Sequence, residues 1–383
     1  MKKHLSVILI FCLIFCFSGC SDLKNILSSS NTSAPQSQNV TAKPDTTSSE
    51  TSSLIESEVS STQSEEESVP SVIEKPTSFD ITLSFVGDVM LANSDTMTQK
   101  GSFYEFAENN PPEYFLEKVQ SVFAKDDFTI VNLENVLTDN ELEKSEKDHD
   151  PAYWFRSPTS FAEMLTKGSV EGVSLANNHI YDYGKQGYKD TTAAVKAAGL
   201  YYGNFGEIMY LEKQGFKIAV ICYGMWRPNG VGTVKNLIKK AGENSDYQIV
   251  FFHGGQERIF APEEWKIEAC HELVDAGADL VIGNHPHVLQ PREIYNDTEI
   301  IYSLGNFLFG GNKKPGKNTI IYQMKLTISA KTLKVKGEKS KIIPCYVYDD
   351  VWNNYQPCLI KDEAEKQQVL DFMNGKAKSP YLN

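Results

Sequence analysis

The stretch VIGNHPHVLQP, residues 281–291, carries His285 and His287 one residue apart. In extended backbone, residues i and i+2 point to the same side, so both imidazoles can reach one centre. Pro286 between them stiffens the turn. Two imidazoles converging in this way suit a metal ion, and other segments end in residues that could complete its ligand set. SFVGD ends at Asp88, TIVNLE at Glu134, VSLANNH at Asn178 and His179, and IVFFH at His253. Imidazole with carboxylate and amide oxygen, and no thiolate, suits one or two divalent transition-metal ions such as Mn, Zn or Fe. Glu134 could bridge two ions through its two oxygens. A pair about 3.5–4 Å apart lowers the pKa of a shared water and clamps an anionic transition state. His179, beside Asn178, would then be free as a general acid to a leaving group. Each segment alone also has an ordinary reading: Asp88 as a turn or helix cap, Glu134 as a solvated strand end, His253 as a hydrogen-bonded core histidine. His149 in KDHDP reads as solvent-facing and His271 in EACHELV as a helix residue.

Elements that would position these residues alternate between strand-like and helix-like runs. Residues 80–91 read as a first strand ending near Gly87, 127–134 as a second and 172–178 as a third. Residues 216–224, 247–255, 278–285 and 298–309 follow as later strands. Helical patterns fall at 112–125, 185–199 and 262–278, the last two running out at Gly199 and Gly277. Alternation of this kind argues a layered α/β domain. Residues 318–337 alternate apolar and polar and predict an antiparallel hairpin, so the sheets should be mixed, and 364–375 predict a C-terminal helix. In open α/β sheets ligands bind beyond the carboxyl ends of strands, which is where the polar residues above fall.

FVGDVML, NLE, SLANNH, HGGQE, GNHPHVLQ and YSLGNFLF, in this order, resemble the poly-γ-glutamate capsule biosynthesis protein CapA family from about Ile81 to Phe309. That family resembles a branch of the calcineurin-like metallophosphoesterases. The resemblance implies a four-layered α/β/β/α sandwich with mixed sheets. It implies metal ligands at Asp88, Glu134, Asn178, His253, His285 and His287, with Glu134 in the place of a bridging aspartate and His179 as the proton donor. Arg156 in YWFRSP and Asn306 in SLGNF match further positions and are candidates for substrate binding. One departure is plain: the broader superfamily opens with Asp-x-His, and here Met90 stands where that histidine would be.

The ends of the chain are of other material. Residues 1–20 combine two lysines, an apolar run over 5–17 and the ending FSGC, which reads as a signal peptide with a lipobox whose Cys20 would be acylated. A plain signal peptide or short membrane anchor is the alternative. Residues 21–78 are rich in Ser and Thr and acidic, and without aromatics they cannot repay the entropy of ordering; they predict a disordered stalk. A domain is expected over 79–345 and a C-terminal extension with a helix over 346–383. The net charge of −13 with no basic stripe argues against nucleic acid. Cys222 and Cys270 lie in apolar runs and read as buried thiols; a Cys345–Cys358 bridge is left open. These features predict an extracytoplasmic protein held to the cell membrane by lipid. The family resemblance implies as partners an anionic polymer such as poly-γ-glutamate and membrane-bound capsule synthase subunits. Two functions fit: a metal-dependent hydrolase or transferase acting on that polymer, or a non-catalytic export or anchoring component whose metal site is structural or binds carboxylates. A periplasmic-type solute-binding lipoprotein would give no reason for the paired histidines.

Overall fold

Two mixed sheets stack face to face in a computed structural model that describes residues 76–94, 100–312 and 315–382. The signal peptide, Cys20 and nearly all of the stalk expected from the sequence lie outside the described residues. The larger sheet contains β1 (Ser78–Met90), β2 (Phe128–Leu133), β5 (Gly172–Ser174), β6 (Tyr201–Gly203), β13 (Asn306–Phe309), β14 (Asn318–Ser329), β15 (Val335–Tyr346) and β16 (Cys358–Leu359). Its order is β16-β15-β14-β1-β2-β5-β6, with β13 also pairing β1. The smaller sheet contains β7 (Met209–Lys213), β8 (Phe216–Gly224), β9 (Tyr247–His253), β10 (Leu280–Asn284), β11 (Leu289–Tyr295) and β12 (Thr298–Leu304), in the order β11-β12-β10-β9-β8-β7. A separate pair joins β3 (Val136–Leu137) to β4 (Arg156–Ser157).

Each sheet is apolar on both faces because each is covered twice. Ile81, Leu83, Phe85 and Ile130 of the larger sheet meet Ile218, Ile249, Phe251 and Ile282 of the smaller one in the core between them. Behind the larger sheet, Val86, Val89, Val131 and Val173 pack with Phe103, Phe123, Leu165 and Val195, which belong to helices over Phe103–Asn109, Glu117–Phe123, Ala162–Lys167 and Gly184–Ala197. Behind the smaller sheet, Ile221 and Val250 pack with Val234, Ile238, Cys270 and Leu273 from helices over Val231–Gly242 and Glu264–Asp275. The result is the four-layered α/β/β/α sandwich with mixed sheets that the resemblance implies. The hairpin of β14 and β15 is antiparallel as the alternation predicts. Towards the C-terminus, β16 extends the larger sheet, and the helix Glu363–Met373 buries Val369, Phe372 and Met373 in the core between the sheets.

Strand alternation carries the core rows directly into the polar site. On β9, Ile249 and Phe251 face the other sheet, so His253 does too. On β2, Ile130 faces inward and Val131 and Leu133 face the helices, so Asn132 lies on the inner side. β1 needs a correction to its parity, because Phe85 is inward but Val89 faces the helices. A register irregularity between Phe85 and Asp88 supplies it and turns Asp88 inward.

The first strand does not end near Gly87 but runs through this bulge to Met90. The run 298–309 is two strands, not one: Gly305, at φ +71°, breaks it and passes the chain from the smaller sheet to the larger. Gly87 and Gly305 also touch. The Asp88 N–H donates to the Gly305 carbonyl at 2.9 Å, and a Cβ on Gly87 would stand 1.8 Å from that oxygen. Gly87→Ala should therefore destabilise the fold by about 3 kcal/mol, the upper end of overpacking costs. Thermal denaturation measures this, and an unchanged melting temperature would rule out the close approach. Cys345 and Cys358 are both free thiols. Cys345 pairs in register with Leu359, so its neighbour Cys358 projects from the opposite face of the sheet and cannot reach it.

Candidate metal centre

Side chains from both sheets meet where the core between them ends. Asp88, Asn132 and Glu134 come from the β1 and β2 ends, His253 from β9, and His285 and His287 from the loop after β10. Asn132 Nδ2 donates to Asp88 Oδ1 at 2.9 Å and lies 3.0 Å from His253 Nδ1. That contact leaves His253 Nε2 as the meeting point, 2.8 Å from Asn178 Oδ1, 3.0 Å from His285 Nδ1 and 3.4 Å from Glu134 Oε1. His287 Nδ1 is 3.1 Å from Asp88 Oδ2, and its Nε2 is 3.9 Å from Glu134 Oε1. All six residues named as ligands from the sequence thus fall in one cluster. Among the described residues, two further histidines lie away from it: His271 bonds Glu293 and stacks on Tyr295, and His149 is exposed.

Burial sets the charges of this cluster. It would raise Asp88, but hydrogen bonds to His253 and His287 outweigh it and hold the carboxyl well below its ordinary value. Glu134 moves the opposite way: burial, then the charge of Asp88, push it well above the ordinary value. Burial lowers His253 and His285. It also opposes protonation of His287, but Glu134 and Asp88 together raise that residue to about 10.

Glu134 is fully buried, and neither of its carboxylate oxygens has a hydrogen-bond partner. A buried carboxylate left in this way is costly unless it is paired or coordinates a metal. Donor atoms of Glu134, His253 and His285 all lie within 4.8 Å of one another, as do those of Asp88, Glu134 and His287. The residues present fit a divalent ion. Met90, standing where the broader superfamily has a histidine, contributes nothing polar; it is buried among Ala92, Phe155 and Phe309.

His179 stands beside the cluster, and its Nδ1 is 2.9 Å from Asp182 Oδ2. Asp182 is buried; its Oδ2 also accepts from the Phe155 N–H at 2.8 Å, and its Oδ1 forms an ion pair with Lys147 Nζ at 2.6 Å. Phe155 lies edge-on to the imidazole with ring centroids 4.7 Å apart. Burial lowers the His179 pKa, against the pull of Asp182. Nδ1–H is thereby committed to Asp182, and Nε2 is the nitrogen left for proton exchange. Asn306 is buried against His287: its Oδ1 is 2.9 Å from His287 Nδ1 and its Nδ2 donates to the His287 carbonyl at 3.3 Å. Arg156 lines two adjoining cavities of about 450 and 570 Å³, and among the described residues no hydrogen bond or ion pair joins it to the cluster. Asn132, Asp182 and Lys147 are site residues that the sequence reading passed over. Two of them carried a signal: Asn132 lies two before Glu134 at a strand end, and Asp182 lies three residues after His179.

Two sheets whose strand ends gather histidines, carboxylates and an amide around one buried point define a protein of sandwich fold with a candidate metal site. Residues 82–311, more than half of the chain, match the family model of the bacterial capsule synthesis protein PGA_cap, and the chain belongs to that family. It is 30% identical over 252 residues to the PGA biosynthesis protein CapA of Bacillus subtilis, covering 60% of this chain and 63% of the relative. To the capsule biosynthesis protein CapA of Bacillus anthracis it is 28% identical over 273 residues, covering 64% of each. The match therefore spans less than two thirds of the length of either relative. Among solved structures, a phosphatase from Mycoplasma pneumoniae aligns with 70% of this chain and 94% of its own, at 17% identity and a TM-score of 0.43.

Proposed function

We propose that this protein is a surface-anchored component of poly-γ-glutamate capsule biosynthesis, a metal-dependent hydrolase or transferase acting on an anionic extracellular polymer. Family membership and the relatives' names support the capsule role. The signal-like residues 1–20, Cys20 and the Ser/Thr-rich segment support a lipid anchor and stalk; among the described residues no helix is long and apolar enough to cross a membrane. One observation carries the chemistry: the buried, unpartnered carboxylate of Glu134 amid His253, His285 and His287. Those four residues with Asp88 and Asn178 would hold the ion, which when bound supplies Lewis-acid polarisation and an acidified water. His179 exchanges a proton at Nε2 with the leaving group while Asp182 fixes the ring.

Arg156 is the candidate to bind the polymer. Its guanidinium stacks over Tyr183 at 5.2 Å, and it has no ion-pair partner among the described residues. The smaller of its two cavities is lined also by Lys144, Trp154 and Tyr104. A carboxylate or phosphate of the substrate would complete it.

The test is turnover of poly-γ-glutamate and of an aryl phosphoester by the full chain, before and after chelation. Turnover of either substrate that is lost on chelation and restored by Mn²⁺ or Zn²⁺ is the expected result. Arg156→Ala should raise KM for the polymer about tenfold or more, the size of a lost hydrogen bond to a charged group, with kcat for the small phosphoester retained. The burial of Met90 in the core favours a second reading, a non-catalytic export or anchoring component. A metal-loaded chain that turns over neither substrate would replace the first reading with the second.

A further inference from the structure

Glu257 lies on the loop that follows β9, four residues after His253 and outside the ligand set read from the sequence. It is exposed, yet one of its oxygens lies within 4.8 Å of donor atoms of both His285 and His287. That closeness is built into the backbone. The Gly254 N–H donates to the Asn284 carbonyl at 3.0 Å, and the Arg258 N–H donates to the Pro286 carbonyl at 2.8 Å. The glutamate loop is thus tied at both of its ends to the histidine loop. Both histidines adopt left-handed backbone, at φ +95° and +56°, as does Arg258 at +63°. Such conformations are costly for residues with a side chain, and they cluster where a site is held in a required shape.

The buried side of the centre supplies an independent observation. Both oxygens of Glu134 lack partners, and a single ion bound at one of them would leave the other bare. His285 shares one triad with Glu134 and another with Glu257, and so does His287. We propose that Glu257 is a metal ligand and that, with His285 and His287, it forms a second cation position on the open side of the centre. Glu134 then spans the two positions, one oxygen to each. The inference rests on the metal-centre reading above, but it concerns the number of ions and not turnover.

Titration of the metal-free full chain with Mn²⁺, followed by calorimetry and electron paramagnetic resonance, tests it. The wild type should bind two ions per chain and give the spectrum of a spin-coupled pair, as expected for ions about 3.5–4 Å apart. Glu257→Gln should bind one ion, lose the coupled signal and keep the metal-free melting temperature of the wild type, since the side chain is exposed. Two ions bound by Glu257→Gln with unchanged affinity would overturn the proposal, and so would a single ion in the wild type. No binding by the wild type would overturn the metal-centre reading as well, whereas two bound ions without turnover of any substrate would leave this inference standing.

Discussion

His179→Ala is expected to lower kcat by about 10²–10⁴-fold, the range of general acid–base catalysis, while the metal content of the chain stays at the wild-type level. The separation of the two readouts follows from position. His179 belongs to none of the groups of donor atoms that could share an ion. Its Nδ1 is held by Asp182, whose own charge is balanced by Lys147 at 2.6 Å. Because it shares no donor group with the candidate ligands, the role proposed for this imidazole is to exchange a proton rather than to hold a metal. On that proposal the variant discriminates between the two functions. Equal kcat in both proteins would remove His179 from the chemistry. Loss of metal together with activity would make it part of the ligand scaffold.

Glu134→Gln should have the opposite profile: metal binding collapses, and the metal-free fold becomes more stable. Burial, then the Asp88 charge, raise the pKa of this carboxyl. A carboxyl raised in the folded state contributes stability only while protonated. That contribution is complete below its unfolded value and is lost as pH rises through the folded one. The metal-free wild type should therefore weaken as pH rises from about 4.5, the ordinary glutamate value, and the glutamine variant should lack that slope. On the alkaline side the variant should be the more stable by on the order of 1–3 kcal/mol, the cost of a buried polar group without a partner. Denaturant unfolding of both proteins across pH, with chelator present, measures the difference. Parallel curves would mean that the carboxylate is solvated or paired in the free protein.

Much of this site could be read from residue order alone, for a physical reason. Strand alternation extends each inward row past the core, so a polar residue that continues the row of Ile249 and Phe251, as His253 does, must face the other sheet. The same holds for Asn132 after Ile130. Asp88 is different: its inward aim depends on the irregularity between Phe85 and Asp88, and its backbone is tied to Gly305, 217 residues later in the chain. Local sequence carries no trace of such a contact. Nor could the run 298–309 be divided between two sheets from its apolar pattern, since Gly305 is the only break in it. The helix Val231–Gly242 was passed over, although Val231, Val234, Ile238 and Ala241 keep helical spacing. Its first residues, VGTV, hold a glycine, a threonine and two β-branched valines and follow another glycine, which suggests no helix start. Glu257 escaped notice because it is exposed and lies on a loop, and only the backbone bonds between the two loops bring it to the histidines.

The most direct test of the metal centre is calorimetric titration of Mn²⁺ or Zn²⁺ into the metal-free full chain and into Glu134→Gln. Saturable binding to the wild type that is lost in the variant is the predicted result. A wild type that binds neither ion, or a variant that binds as the wild type does, would mean that the strand ends gather around something other than a cation.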